Sequence, residues 1–173
     1  MNSIPTPEEC LELLIKSGCS EEVIKHSESV RDIAVRIAKR ANADLKLVEA
    51  GALLHDIGRS KTHGIYHGIE GARIAKKLGL PEIIIRIIER HIGAGLPTDE
   101  AKKLGLPGKD FIPETLEEKI VCHADSLIDN SRKQDIESEV ERALVDGNSE
   151  YARRLVALHK ELSDICGIDV NKI

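Results

Sequence analysis

The sequence predicts an all-α fold, a compact helical bundle forming a single domain over 1–173. Three observations predict it. Apolar residues recur at helical spacing, as in Val30, Ile33, Ala34, Ile37 and Ala38. Helix-start and helix-stop residues punctuate that pattern, with Thr6, Ser20 and Thr115 as caps and Gly18 and Gly79 as terminators. No segment alternates apolar and polar residues as a half-buried strand would.

Each element follows from these signals. Thr6 caps a first helix, with Pro7 at its first position and Glu8 and Glu9 near its positive end, running to about Lys16. Ser20 opens a second. A third spans roughly Asp44 to His55 and is ended by Gly58. A fourth covers about Tyr66 to Leu78. Pro81 opens a fifth, rich in Ile, that reaches His91. Gly93 to Glu114 is broken by Gly95, Pro97, Gly105, Pro107, Gly108 and Pro113, and holds at most a short helix around Asp99 to Lys103. A loop of that length inside a compact domain suits a lid or binding loop. Thr115 then caps a helix through about Asp129. Helices near Ile136 to Val145 and Ser149 to Ile165 finish the chain, giving about seven to eight helices in all.

Composition bounds the function. Hydrophobic residues make up 41% of the 173 and charged residues 32%, as in a soluble globular protein. Aromatics are only 2%, so the core must be aliphatic. A net charge of -5 argues against broad nucleic-acid binding or an anionic membrane surface. No apolar run approaches the roughly 18 residues of a membrane span. Met1 to Glu9 lacks a basic-then-apolar leader pattern, which predicts a cytoplasmic protein. Cys10, Cys19, Cys122 and Cys166 are scattered without a CxxC pair, and read as free thiols in a reducing compartment. The oligomeric state is left open, a homo-oligomer included.

The chemistry centres on Gly51-Ala52-Leu53-Leu54-His55-Asp56-Ile57-Gly58-Arg59. A carboxylate at the end of an apolar helix is repelled by the partial negative charge there. Burial would add several kcal/mol for an unpaired ion. A divalent metal removes both problems, and imidazole and carboxylate are suitable ligands. Further candidate ligands stand one to a helix: His26, His67, His91 and Asp125. Ligands so far apart in sequence would tie several helices together, linking metal binding to folding.

These residues resemble the HD phosphohydrolase superfamily, and its HDIG subgroup in particular. The family pattern is a His, an adjacent His-Asp and a distant Asp. Here it is met by His26, by His55-Asp56-Ile57-Gly58, and by Asp125 in His123-Ala124-Asp125-Ser126-Leu127-Ile128. The resemblance covers about 20–130, a metal-binding core, with C-terminal helices over 131–173. Some HD enzymes, such as HD-GYP phosphodiesterases and HD-type diadenosine tetraphosphate hydrolases, use two more histidines for a second metal. His67-Gly68-Ile69-Glu70-Gly71-Ala72 and Glu89-Arg90-His91-Ile92-Gly93 look like those sites. Gly68 and Gly71 would let that helix approach its neighbours closely.

The resemblance implies two divalent ions, drawn from Mn, Fe, Co, Ni, Mg or Zn, bridged by Asp56 at roughly 3.5–4 Å. His91 is followed by Gly93-Ala94-Gly95-Leu96-Pro97, without the HHE or GYP signature, so cyclic-di-GMP specificity is not carried over.

The resemblance further implies a metal-dependent phosphohydrolase that uses an activated water on a nucleotide or similar phosphorylated small molecule. His55 and Asp56 would be catalytic as ligands. Arg59 and Lys61 would clamp phosphate, and Lys109 or Lys102 would close over substrate from the long loop, with Arg90 a weaker choice. His63 competes with His67. His123 is turned about 200° from Asp125 on its helix and faces elsewhere, while His159 is expected on a surface. The rival readings are a mononuclear HD-type 5′-nucleotidase and a non-catalytic HD nucleotide-binding sensor or scaffold.

Overall fold

The computed structural model describes residues 3–173. Met1 and Asn2, where the leader-peptide reading begins, lie outside the described residues. Helix α1 is Pro7–Ser17 and starts on a reciprocal cap between Thr6 and Glu9. Ser20 caps α2, Glu21–Ala41, which ends on Asn42 in a left-handed conformation. Asp44 caps α3, Leu45–Leu54. A 3-10 turn at Ile57–Ser60 leads to α4, His67–Lys77, and then α5, Glu82–Arg90. After another 3-10 turn at Ile92–Ala94 come α6, Thr98–Lys103, and α7, Leu116–Ser126, capped by Thr115. A hairpin of β1, Ile128–Asp129, and β2, Arg132–Lys133, precedes α8, Ile136–Val145, and α9, Ser149–Cys166. Among the described residues the fold is all-α apart from this hairpin and one isolated bridge between Leu96 and Phe111.

The core is aliphatic, as the composition requires. Leu14, Ile37, Leu53, Leu54, Ile57, Ile84, Ile87, Ile88, Ile120, Leu127, Leu155 and Leu162 are its largest fully buried side chains. Each contributes about 1.5–3 kcal/mol relative to exposure. Helix α3 runs through the centre, against α1, α2, α5 and α7. The Ile-rich α5 turns Ile84, Ile87 and Ile88 inward and leaves Ile83 45% exposed, so its stripe is core. No helix among the described residues is long and apolar enough to cross a membrane.

Three departures from the sequence expectations matter for the site. Helix α3 stops at Leu54, and Gly58 lies inside the following 3-10 turn instead of ending the helix. Its role is steric: a Cβ there would sit 1.8 Å from the His67 carbonyl oxygen and 2.5 Å from the Gly71 amide nitrogen. Glycine lets the start of α4 press onto the turn after His55-Asp56. Helix α7 ends at Ser126 and not near Asp129, because the chain turns back through Asn130 at φ 56°, a conformation Asn tolerates better than most residues.

The third departure is the segment after His91. Leu96, Ala101, Leu106 and Phe111 form a small core of their own, with Ile65, Ile69 and Ile92 packed against it. The Tyr66 hydroxyl donates to the Gly105 carbonyl, and Arg154 of α9 makes a two-pronged bond to Glu100 at 2.6 and 2.8 Å. The segment is a packed cap on α4 and α9.

Candidate metal centre

Helix ends bring the ligand candidates together. His26 lies in α2, His55 and Asp56 at the break after α3, His67 at the first position of α4, His91 just past α5, and Asp125 in the last turn of α7. His55 Nδ1 donates to the Ala52 carbonyl at 2.7 Å and His91 Nδ1 to that of Ile88 at 2.7 Å. Those carbonyls are free because each helix stops there. His67 Nδ1 donates to Gly64 O at 2.8 Å, and His26 Nδ1 to Asn130 O at 2.6 Å. A carbonyl only accepts, so all four rings carry a proton on Nδ1 and turn Nε2 inward. This is the orientation that backbone partners impose on metal-binding histidines.

The inward atoms form two groups about Asp56. On one side, Asp56 Oδ2 lies 3.7 Å from His26 Nε2 and 3.6 Å from His55 Nε2. Asp125 Oδ1 completes that group at 2.9 Å from His26 and 3.4 Å from His55. On the other side, Asp56 Oδ1 faces His67 Nε2 at 3.2 Å and His91 Nε2 at 3.4 Å. His67 and His91 bring their Nε2 atoms to 3.0 Å of each other. Two neutral acceptors at that distance have no proton to share, and a cation resolves the conflict. Buried His55 Nε2 and Asp56 Oδ1 have no hydrogen-bond partner. The donor set fits a divalent ion.

Electrostatics tell the same story. Burial alone would lower the His55 pKa, but Asp56 and Asp125 more than offset it and push it up to about 9. Burial alone would raise Asp56, yet His55, His67 and His91 hold its carboxyl well below the usual range. His91 is lowered by burial despite Asp56. The cluster favours its carboxylates ionised and a positive charge beside them.

The phosphate-clamp candidates divide. Arg59 Nε donates to Asp56 Oδ2 at 2.6 Å and its Nη1 to the His63 carbonyl at 3.3 Å. Arg59 also lines both cavities that reach the cluster, of about 470 and 570 Å³. Lys61 is exposed and lines neither. The structure does not bring Lys109 to the cluster: its Nζ is held by Glu89 Oε1 at 2.8 Å and lies over the Phe111 ring. Only Gly93 of the long segment reaches the first cavity. Arg90 is tied to Glu114 and Glu118, and His63 lines the second cavity by its own exposed side.

His123 faces away from Asp125, as its helical phase requires, and pairs with His159 at 3.0 Å. His159 is half-buried there and not a free surface residue, with Asp169 3.0 Å from its other nitrogen. The sequence reading missed Gln134, Glu139, Arg142 and Tyr151, which line the first cavity. Their only signal was Tyr151 itself, a rare aromatic. It also missed the Asn130 carbonyl that orients His26, for which the Asp129-Asn130-Ser131 turn chemistry was the available sign.

Fold and cluster together define a helical protein with a buried His/Asp cluster that could hold a metal. The HD domain family model matches residues 23–129, and the chain belongs to that family of metal-dependent phosphohydrolases. A tRNA (cytidine(56)-2′-O)-methyltransferase of Thermoplasma volcanium is 45% identical over 98% of this chain, and the chain spans 50% of that relative's length. An uncharacterized protein of Methanocaldococcus jannaschii is 43% identical over 88% of this chain and 94% of its own. The HD domain of the Listeria monocytogenes phosphodiesterase PgpH, solved in complex with cyclic-di-AMP, superposes with a TM-score of 0.57 at 19% identity, covering 90% of this chain and 96% of that one. That likeness is one of fold.

Proposed function

We propose that this chain is a binuclear phosphohydrolase that cleaves a phosphoester or phosphoanhydride bond of a nucleotide. The observation that carries the reading is the division of labour at Asp56. One carboxylate oxygen faces His26 and His55 with Asp125 alongside, the other faces His67 and His91. Every one of the four rings bonds a backbone carbonyl through Nδ1 and turns Nε2 inward. Divalent ions held there would supply an acidified water and offset charge on the phosphoryl oxygens.

The chain's own residues do the rest. His26, His55, Asp56 and Asp125 would hold one ion, and Asp56, His67 and His91 the other. Arg59 stands where the two cavities meet. With Nε anchored on Asp56 and Nη1 on the His63 carbonyl, Nη2 would donate to a phosphate oxygen without a search for orientation. Lys61 and Lys109 have no part in this arrangement. The methyltransferase name belongs to a relative of which this chain spans half, and a converging set of four imidazoles and two carboxylates supports hydrolysis, not methyl transfer, for this portion.

The test is turnover of a panel of phosphomonoesters, phosphodiesters and nucleoside polyphosphates by metal-loaded protein. The reading expects metal-dependent release from at least one nucleotide, abolished by chelation. No metal-dependent turnover of any member would favour a nucleotide-binding sensor instead.

A further inference from the structure

One wall of the first cavity has no part in the metal centre. The cavity holds about 470 Å³, within the range of small-ligand sites. It is lined by His26, His91 and Asp125 of the cluster and also by Gln134, Glu139, Arg142 and Tyr151. The second group lies beyond residue 129, where the family match ends, so the shared pattern does not account for it.

That wall is organised. The chain has one Phe, two Tyr and no Trp, and one of these three rings is here. The Tyr151 hydroxyl donates to Glu139 Oε1 at 3.0 Å. Arg142 Nη2 grips Glu139 Oε2 at 2.5 Å and Gln134 Oε1 at 2.7 Å, and its Nη1 reaches Asp129 Oδ2 at 3.3 Å. The ring is therefore held in place, which lowers the entropy cost of stacking against it. Burial and the neighbouring Glu139 push the Tyr151 phenol up, keeping it a donor.

Charge separates the two cavities. The first is lined by the carboxylates of Asp125, Asp129, Glu139 and Asp146 against the two guanidinium groups of Arg59 and Arg142. The second is lined by Lys25 and Arg59, with His63, against Glu22 and Asp56. A polyphosphate tail would be repelled by the first cavity, whereas sugar hydroxyls would find acceptors there and a base a flat face.

We propose that α8 and α9 build a nucleoside-reading wall, which takes the sugar and base of a nucleotide bearing a single phosphate and excludes further phosphates. This rests on the functional reading above, since it is the metal centre that would hold the phosphate.

The experiment is calorimetric titration of the full chain, saturated with Mn at constant free metal, with adenosine monophosphate, adenosine triphosphate and inorganic phosphate. The monophosphate should bind about tenfold more tightly than the triphosphate, a discrimination of the size like-charge contacts give. Tyr151→Ala should weaken the monophosphate about fivefold or more, the loss expected of a stacked base, and leave inorganic phosphate and metal content unchanged. Tyr151→Phe should retain most of the monophosphate affinity. Asp146→Lys, at an exposed position, should narrow the gap between mono- and triphosphate. Triphosphate binding as tight as monophosphate, or monophosphate binding indifferent to Tyr151→Ala, would overturn the wall. Metal and phosphate binding without monophosphate binding would overturn the wall alone. A chain that takes up neither metal nor phosphate would overturn the functional reading, and the wall with it.

Discussion

Two groups of buried histidines in this protein behave in opposite ways. His55, fully buried between Asp56 and Asp125, is pushed up to about 9. His123, equally buried but facing His159, is pushed down to about 3 by burial and by that neighbour. Burial disfavours the charged ring in both. The difference is made by carboxylates, and by where the ring nitrogens point. Around Asp56, four Nε2 atoms converge and every Nδ1 is spent on a carbonyl. The His123, His159 and Asp169 groups instead run in a line, His123 Nε2 to His159 Nδ1 and His159 Nε2 to Asp169, with His123 Nδ1 left buried and unbonded among the described residues. Convergence of Nε2 atoms on shared carboxylates, and not the number of histidines, is what makes a cluster that could hold a metal.

The sharpest way to break this contrast is to remove the shared carboxylate. Asp56→Ala should strip bound metal and lower turnover by at least about 100-fold, more than the loss of a supporting contact produces. Elemental analysis and a rate on the true substrate read both effects, and a variant that keeps its metal and its rate would end the assignment. The two halves of the cluster separate next. His67→Ala and His91→Ala should each halve the metal content and cut turnover, whereas unchanged stoichiometry would favour a mononuclear nucleotidase.

The linear histidine chain should respond differently. His123→Leu is expected to cost about 1–3 kcal/mol of stability, because His159 loses a buried partner, with metal content unaltered. A thermal melt and a metal assay distinguish that from a hidden ligand role, which would show as metal loss. The smallest effect belongs to Lys109→Ala. Its ammonium is engaged with Glu89 at the surface, a pair worth at most about 1 kcal/mol. KM should stay within experimental error, and a clear rise would return Lys109 to the substrate path.

How much of this was legible in the sequence depended on the range of the determining interaction. Helix starts at Thr6, Ser20, Asp44 and Thr115 were readable because a cap is a contact between residues two or three apart. The six residues of the cluster were readable because their types and order match a family pattern, and the fold does bring them together. Gly58 was misread as a terminator, since its true constraint is the backbone of α4, which sequence spacing does not reveal. Lys61 looked like a clamp for its place just after the His-Asp pair and Lys109 for its place on the long loop; in the fold Lys61 is exposed and lines neither cavity, and Lys109 is engaged with Glu89. The wall of Glu139, Arg142 and Tyr151 was invisible for a different reason: it exists only once α8 and α9 fold back across the cluster.

The central claim is that Asp56 sits between two metal positions. The measurement that tests it most directly is a crystal structure of metal-loaded protein, with anomalous differences collected at the metal edge. The account predicts two peaks flanking the Asp56 carboxylate, one among His26, His55 and Asp125 and one between His67 and His91. A single peak beside His26 and His55, with His67 and His91 bonded to something else, would contradict it.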